Sequence, residues 1–379
     1  MDSLFLKTAP PLDPAWLAFE EVSGMNNPRP ELPIAEHQVA YAAECRSINA
    51  KMLAPGARDH HLSLNVTRTK FTVPSTNTPF GDEASRFRLP VIRYEHAPAS
   101  SETDSTANPA QAQDQPEVTV LYIHGGGLYV GEADSEELSC LRILKASTPS
   151  TNHTNNITDV QIPMIKQVYS LTYRLMPTYS AQDSLSDCLS VLNFILLEQQ
   201  QRGGASDSRK YNHKIILAGS SSGGQLAALV SQHPTVLGKI NGVLLRCPVT
   251  SDAFGGLDPY VPLRFQHLHT SAWEPSFWNS LLGQMKRAVP RDGLERMPLE
   301  ADEETLKRLP RTWIQLCTND SLYSDGLCYA KALEEVGVEV KVDVVKGWPH
   351  TFWLKAPELE RALEAEEEMV KGLVWLLAE

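Results

Sequence analysis

From residue 118 to the C-terminus, short apolar segments alternate with longer segments of helical periodicity. The apolar segments are nearly continuous, which is typical of strands that are buried on both faces. Strands that alternate with helices in this way predict an α/β fold, with a mostly parallel sheet covered by helices on both faces. In such sheets the functional site lies beyond the carboxyl ends of the strands.

The elements can be placed from their apolar spacing. The predicted strands are 62–73, 89–94, 118–123, 165–173, 214–218, 242–247, 312–317 and 338–345. The predicted helices of the regular region are 136–146, 185–200, 225–231, 324–336 and 358–377. Segments 97–116 and 147–159 are rich in small polar residues, and we expect them to form flexible surface loops without chemistry.

Two segments lie outside the regular alternation. Residues 12–53 have helical spacing, and Asp13, followed by proline, marks the expected helix start. Residues 250–309 separate two predicted strands and are rich in large apolar side chains. We therefore expect a single domain over residues 1–379, with cap elements at about 1–60 and 250–309.

Composition restricts the partners of this chain. The formal net charge is −12, whereas a nucleic-acid surface needs clustered Lys and Arg to neutralise phosphates. The sequence has neither the basic and apolar regions of a signal peptide nor an apolar run of membrane-spanning length. Its six cysteines form no CxxC pair, which favours reduced, buried thiols. We therefore expect a cytoplasmic protein without a nucleic-acid partner or stable membrane insertion, and a homodimer is left open.

The strongest chemical signal is a G-x-S-x-G motif between a predicted buried strand and a helix. Ser221 has Gly219 two positions before it and Gly223 two positions after it. A serine nucleophile on a sharp strand-to-helix turn needs small neighbours at those two positions. Ser220 and Ser222 lack this symmetric glycine spacing, so Ser221 is the predicted nucleophile. The motif alone is weak evidence, because a Gly/Ser turn can connect a strand and a helix without chemistry.

A run of three glycines follows the strand 118–123, directly after His124. Backbone N–H groups of glycines can approach a ligand closely, and a tetrahedral intermediate needs such donors where its negative charge develops. We expect the N–H groups of Gly125, Gly126 and Ser222 to form an oxyanion hole. A phosphate-binding loop is disfavoured because no Lys-Ser/Thr pair follows. We expect His124 to hold the loop in place.

A serine hydroxyl needs a general base, and that base needs an orienting carboxylate. Enzymes with this serine turn carry the nucleophile, the acid and the histidine in that order along the chain. His350 is the one histidine beyond the candidate acids. Asp320 ends a predicted strand and is the expected acid, whereas Asp325 is expected to cap or brace a helix. Asp343 and Asp252 are weaker alternatives.

These residues together resemble the hormone-sensitive-lipase-like branch of the α/β-hydrolase family. The motifs that carry the resemblance are HGGG at 124–127, YRLMP at 173–177, GSSSGG at 219–224, DSL at 320–322 with DG at 325–326, and His350. The resemblance covers residues 12 to 379 and implies an α/β-hydrolase fold with an eight-stranded sheet and a cap. It also implies hydrolysis of carboxylic esters by Ser221, Asp320 and His350, without a metal or a cofactor.

The chain departs from the family pattern at three positions. The family usually has Asp before the nucleophile and Ala after it, where this chain has Ser220 and Ser222. It usually has Gly after the catalytic histidine, where this chain has Thr351. These changes leave the catalytic residues in place, but they weaken any inference about the family's usual substrates.

The aromatic side chains of the insert and of the motif loops suggest an apolar substrate pocket. The expected substrate-binding residues are Leu128, Trp273, Phe277 and Phe352. We expect a small-molecule ester with an apolar acyl or alcohol part. Two alternatives stay open: a triad that performs acyl transfer, lactone chemistry or thioester hydrolysis on a polyketide-like intermediate, and a small-molecule receptor without catalysis.

Overall fold

The computed structural model of the protein describes residues 1–27, 31–75, 87–98, 116–147, 163–202, 213–253, 261–270, 274–279, 281–282 and 289–378. The described residues form one eight-stranded sheet in the order β1-β2-β4-β3-β5-β6-β7-β8. Its strands are β1 (Val66–Pro74), β2 (Arg88–His96), β3 (Glu117–Ile123), β4 (Ile165–Leu171), β5 (His213–Ser220), β6 (Gly242–Arg246), β7 (Thr312–Asn319) and β8 (Val340–Pro349). Strand β2 is antiparallel to both of its neighbours, and β3 to β8 are parallel. The predicted α/β-hydrolase sheet is confirmed.

The helices connect these strands or precede them. They are α1 (Pro14–Ser23), α2 (Ile34–Leu53), α3 (His60–Ser63), α4 (Glu137–Lys145), α5 (Ala181–Arg202), α6 (Ser222–Ser231), α7 (Leu263–Gln266), α8 (Glu303–Leu306), α9 (Tyr323–Glu335), α10 (Phe352–Lys355) and α11 (Glu360–Leu377). Short 3-10 helices occupy Asp2–Leu4, Pro275–Phe277, Pro290–Gly293 and Pro298–Glu300. The described part of the chain contains no helix with the length and apolarity needed to span a bilayer.

Strand β3 shows how the sheet separates two layers of core. Leu121 and Ile123 belong to a cluster with residues of α5, α6 and α9, whereas Val120 and Tyr122 belong to a second cluster with residues of α4 and α11. Alternate strand residues point to opposite faces, so both faces of a central strand must be apolar. The sheet is therefore covered by helices on both sides, as the uninterrupted apolar runs predicted.

The N-terminal segment forms two helices within residues 12–53, the stretch whose spacing predicts helical structure. Asp13 accepts a hydrogen bond from the Ala15 N–H at 2.8 Å and caps α1, as predicted. Gly24 ends α1 in the left-handed region with φ 64°, a conformation that glycine adopts without steric cost. The second helix, α2, then begins after Pro33.

The predicted surface loops lie largely outside the described residues, since 99–115 and 148–162 fall there. Much of the predicted cap insert does as well. Its described parts include α7, α8 and the three later 3-10 helices. All six cysteines are buried and unpaired, as their apolar sequence contexts suggested.

A third core cluster connects the N-terminus to the end of β8. Trp16 of α1 is fully buried, and its ring lies 6.0 Å from that of Trp348. The Asp13 N–H also donates to the Gly347 carbonyl at 2.8 Å. Helix α1 thus packs against the chain that leads directly to His350, so the N-terminal segment is part of the support of that histidine.

We expect Trp16→Ala to lower the free energy of unfolding by about 3–5 kcal/mol, because it leaves a large cavity in this cluster. Leu17→Ala is the matched control on the same helix, since that side chain is 49% exposed and its removal costs at most about 0.5 kcal/mol. Urea unfolding of both variants measures the difference. Equal stabilities would show that α1 does not brace the fold.

Candidate active site

Ser221 lies between β5 and α6 with φ 53° and ψ −122°. This positive φ is costly for a residue with a side chain, and it is tolerated where the surroundings enforce it. A Cβ atom on Gly223 would lie 2.0 Å from the Ile123 carbonyl oxygen, and one on Gly219 would lie 2.4 Å from the Gly223 carbonyl oxygen. The two glycines are therefore required by the close approach of backbones around the turn.

The structure brings Ser221, Asp320 and His350 together. The His350 Nε2 atom lies 2.9 Å from the Ser221 Oγ, and the His350 Nδ1 atom lies 2.6 Å from an Asp320 carboxylate oxygen. The other Asp320 oxygen accepts from the Leu322 N–H at 2.9 Å, which fixes the carboxylate plane. Each ring nitrogen therefore faces one partner, as nucleophilic catalysis by serine requires.

The electrostatics of His350 follow from its burial and its charged neighbours. Burial lowers the pKa of the imidazole, but the charge and hydrogen bond of Asp320, together with Cys247, outweigh it and raise the pKa above its ordinary value of 6.5. Cys247 is itself buried at the end of β6 with φ 45°. Burial raises the pKa of that thiol, but hydrogen bonds with Cys317 and His350 outweigh burial and lower it to about 7.

The alternative acids are engaged elsewhere. Asp325 accepts hydrogen bonds from the Thr250 and Ser251 N–H groups at 2.8 and 3.1 Å, and it pairs with His269 Nε2 at 2.6 Å. Asp325 therefore braces the chain after β6 against α9, a structural role like the one expected for it. Asp343 accepts from the Gln315 side chain, and Asp252 accepts from the Arg291 N–H.

The structure of the glycine loop after β3 contradicts the expectation for one of the oxyanion donors. The Gly125 N–H donates to a Glu136 carboxylate oxygen at 2.7 Å, so this N–H is directed away from Ser221. The prediction of Gly125 as a donor is therefore wrong. Gly126 and Gly127 line the cavity in front of Ser221, with φ 121° and 64°. A Cβ on Gly126 would lie 2.0 Å from the Val130 carbonyl oxygen, so only glycine fits there.

Ser222 and His124 support this loop from behind. Ser222 begins α6, and its Oγ accepts from the Leu128 N–H at 3.2 Å. His124 is buried, donates from Nδ1 to the Gly125 carbonyl at 2.7 Å and stacks on Tyr173 at 4.3 Å. Burial lowers the pKa of His124 to about 4, so its ring is neutral near pH 7. Its contacts are those of a residue that holds the loop.

A cavity of about 490 Å³ opens in front of Ser221 and His350. Its described apolar wall consists of Leu32, Ala40, Val130, Leu281, Leu282 and Leu354. Its polar rim consists of His37, Tyr41, Glu44 and Lys355. Lys355 pairs with Glu44 at 3.6 Å and lies over the Tyr41 ring. Residues of α2 and of the insert thus meet over the nucleophile.

The expected substrate-binding residues are not among the described residues that line this cavity. Leu128, Phe277 and Phe352 are buried in the core, where Phe277 stacks on Tyr323 and Phe352 packs on Trp348. Their hydrophobicity reflects core packing, and the prediction that they line the pocket is wrong. Trp273 lies outside the described residues.

A family model described as alpha/beta hydrolase fold matches residues 120–354. This segment contains Ser221, the glycine loop, Asp320 and His350. The chain belongs to this family. The resemblance to its hormone-sensitive-lipase-like branch is confirmed by this match together with relatives such as neutral cholesterol ester hydrolase 1.

Relatives of this hydrolase include named ester-cleaving enzymes. Versiconal hemiacetal acetate esterase of Dothistroma septosporum is 25% identical over 266 residues, which cover 68% of this chain and 72% of that protein. Neutral cholesterol ester hydrolase 1 of Bos taurus is 23% identical over 312 residues, covering 64% and 72%. The crystal structure of vibralactone cyclase matches with a TM-score of 0.68 and 20% identity over 98% of this chain and 96% of that one, which shows a shared fold.

The hydrolase has one cluster with metal-ligand chemistry among its described residues. Cys247, Asp320 and His350 each offer a ligand atom, all within 4.8 Å of one another. However, the ring nitrogen and carboxylate oxygen are 2.6 Å apart. Two ligand atoms of a tetrahedral zinc ion, each about 2.0–2.2 Å from the metal, lie about 3.3–3.6 Å apart. The distance between the His350 nitrogen and the Asp320 oxygen is therefore that of a hydrogen bond and is too short for two ligands of one zinc ion.

Sequence reasoning missed Glu136 and Cys247. Glu136 begins a predicted helix, and its position shortly after the glycine loop is the one signal of a role there. Cys247 is one of the six cysteines expected to be reduced and buried, and nothing in its apolar context signals contact with His350. The cavity-lining residues of α2 were also missed, because no motif marks them.

We expect the activity of this hydrolase to fall as pH is lowered through the pKa of His350, because only the neutral imidazole accepts the serine proton. Since that pKa is raised, the rising limb of kcat/KM lies above pH 6.5 in the free enzyme. Cys247→Ala removes one group that raises this pKa and should shift the limb to lower pH. The matched control is Cys188→Ala on α5, which should leave the limb in place. An identical profile for the Cys247 variant would contradict this electrostatic assignment.

Proposed function

We propose that this protein hydrolyses carboxylic esters that carry an apolar acyl or alcohol part, through an acyl-enzyme intermediate. The observation that carries the proposal is the 2.9 Å separation of Ser221 Oγ and His350 Nε2, with Asp320 on the opposite ring nitrogen. The enzyme class agrees with the names of the relatives, which are an acetate esterase and a cholesterol ester hydrolase.

In the first half of the reaction, Ser221 Oγ attacks the ester carbonyl carbon while its proton moves to His350 Nε2. The carbonyl oxygen becomes an oxyanion, and we assign its donors as the N–H groups of Gly126, Gly127 and Ser222. Gly127 takes the place expected for Gly125. The C–O bond to the alcohol then breaks, and the imidazolium returns the proton to the leaving alkoxide.

In the second half, a water molecule attacks the acyl-enzyme and gives its proton to the same imidazole. The tetrahedral intermediate collapses to the acid, and the Ser221 oxygen regains a proton from His350. Asp320 keeps the imidazole in one tautomer throughout and stabilises its charged form.

The cavity supports the proposed substrate class. Its volume of about 490 Å³ suits a small organic ester, and Leu281, Leu282 and Leu354 give it an apolar wall. The polar rim with Glu44 and Lys355 would contact a hydroxylated or charged end of the substrate. We therefore propose an ester with an apolar part near the nucleophile and a polar group toward α2.

The polar rim also favours a second candidate, in which the acyl group passes to a hydroxyl of the substrate instead of water. Such chemistry would form a lactone of a polyketide-like molecule. The acyl-enzyme forms as described, and a hydroxyl of the acyl part then attacks it and gives its proton to His350, while Ser221 Oγ leaves and regains a proton. Opening of a lactone is the hydrolytic reaction already described. Mass spectrometry of the products from hydroxy-esters distinguishes the two candidates. A lactone or transferred acyl product supports the second, and the linear acid alone supports hydrolysis.

A receptor without catalysis is the remaining alternative. It is disfavoured because His350, which some receptors of this fold have lost, is present and lies within hydrogen-bond distance of Ser221. The buried, unpaired state of the six cysteines supports a reducing location such as the cytoplasm.

We expect Ser221→Ala and His350→Ala each to lower kcat on p-nitrophenyl esters by at least about 10³-fold. His233→Ala is the matched control, since that side chain contacts Thr235 on the surface. A fluorophosphonate probe should label the native protein and not the Ser221 variant. An unlabelled native protein would favour the receptor, and full activity of either triad variant would contradict the mechanism.

We expect p-nitrophenyl esters of medium acyl chain length to be better substrates than the acetate, because the apolar wall contacts a longer chain. Leu282→Trp reduces the space along that wall and should shift the preference toward shorter chains. Leu263→Ala on α7 is the control, because that side chain is 84% exposed. Acetate as the sole good substrate of the native enzyme would contradict an apolar acyl pocket.

A further inference from the structure

The Glu136 carboxylate connects three groups directly behind the nucleophile. One of its oxygens accepts the Gly125 N–H at 2.7 Å and the Ser220 hydroxyl at 2.5 Å. The other oxygen accepts the Tyr122 hydroxyl at 2.6 Å. Glu136 is buried, and each of these donors is buried or belongs to the glycine loop. A buried carboxylate needs such donors, because leaving it without partners would be costly.

The donors belong to the two segments that form the oxyanion site. Gly125 belongs to the glycine loop and precedes Gly126, whereas Ser220 directly precedes the nucleophile. The segments touch, because a Cβ on Gly125 would lie 3.0 Å from the Ser220 hydroxyl. One oxygen of the Glu136 carboxylate thus links two segments. One is the glycine loop, which carries the Gly126 N–H, and the other is the serine turn, which leads to the Ser222 N–H.

The residue before the nucleophile fits this arrangement. The family usually has Asp there, but an aspartate would place a second carboxylate against Glu136. Two adjacent carboxylates repel each other in a buried site. Ser220 instead supplies a hydroxyl donor. Glu136 and Ser220 are therefore complementary to each other, and the departure of this chain from the family pattern has a local physical reason.

Charge and position also limit what Glu136 can do. Burial raises the pKa of its carboxyl, while the hydrogen bonds from Gly125, Ser220 and Tyr122 and the charge of Arg246 oppose that shift. Its hydrogen-bond donors are the three groups named above, whereas the catalytic proton moves between Ser221, His350 and the reacting molecules. Glu136 thus has no place in that path.

We propose that Glu136 is a positioning residue, which holds the glycine loop and Ser220 so that the N–H groups of Gly126 and Ser222 stay aimed at the oxyanion. This inference rests on the proposed ester hydrolysis at Ser221. Because transition-state stabilisation depends on donor placement, small movements of the loop should affect the chemical step more than substrate binding.

The test compares Glu136→Ala with Glu136→Gln. The alanine variant removes all three hydrogen bonds, and we expect kcat to fall by about 10- to 100-fold with KM changed by no more than about threefold. Affinity for a boronic acid, which mimics the tetrahedral intermediate, should fall by a similar factor. Glutamine should recover most of the lost kcat, because its amide oxygen can accept from Gly125 and Ser220 while its NH₂ donates to Tyr122.

Glu137→Gln is the matched control, since the neighbouring Glu137 forms a partly exposed ion pair with Arg68 of β1. If Glu136→Ala does not fold, Ser220→Ala provides the second variant, and it should lower kcat with KM retained. Unchanged kcat in a folded Glu136→Ala or in Ser220→Ala would overturn the proposal, and so would a glutamine variant as impaired as the alanine one. Failure of the proposed function is recognised separately, because the native enzyme would then neither cleave esters nor react with the fluorophosphonate.

Discussion

The structure of this hydrolase depends on the backbone of Ser221, which is held in a conformation that a serine does not normally adopt. The Ser221 N–H donates to the Arg246 carbonyl at 2.8 Å, and this bond ties the turn to the end of β6. Gly219 and Gly223 permit the close packing of the turn, and contacts with the surrounding sheet stabilise the strained φ of Ser221. The result is a hydroxyl that faces the cavity, where His350 can reach it.

The reacting groups were predictable because each one is tied to a rule about order or conformation. The glycine spacing around Ser221 reports a steric need of the turn, and the order of nucleophile, acid and base leaves His350 as the base. The sequence also distinguishes the two candidate acids, because Asp320 ends a predicted strand whereas Asp325 lies at the start of a predicted helix. Such features are local in sequence even though the site is assembled from distant segments.

The errors concern contacts that no local pattern encodes. A run of three glycines indicates N–H donors, but it does not tell which N–H faces the cavity. That choice depends on Glu136, whose carboxylate binds Gly125 from behind. Similarly, the size and apolarity of Phe277 and Phe352 predict burial, but they cannot distinguish a core from a pocket wall. The cavity is instead lined in part by residues of α2, and their helical spacing gives no indication of function.

A buried ion pair lies at the end of β6, the strand end to which the Ser221 backbone is bonded. Arg246 is fully buried, pairs with Glu366 at 2.6 Å, donates to Gln315 at 2.9 Å and lies 3.8 Å from the Trp353 ring centre. Burying such charges contributes little net stability, because desolvation offsets the attraction between them. Their directional hydrogen bonds nevertheless restrict how the strand end can move.

Different parts of this molecule determine its chemistry and its selectivity. The groups that react are fixed by the sheet and its buried polar contacts, whereas the described cavity wall also takes side chains from α2, from the insert before β7 and from α10. Trp16 joins the N-terminal segment to the chain before His350, so changes in this segment act on both stability and the base. Residues farther along α2, such as Ala40 and Glu44, face the cavity. Substitutions there can alter which ester fits without disturbing the proton path, which is how one fold serves many substrates.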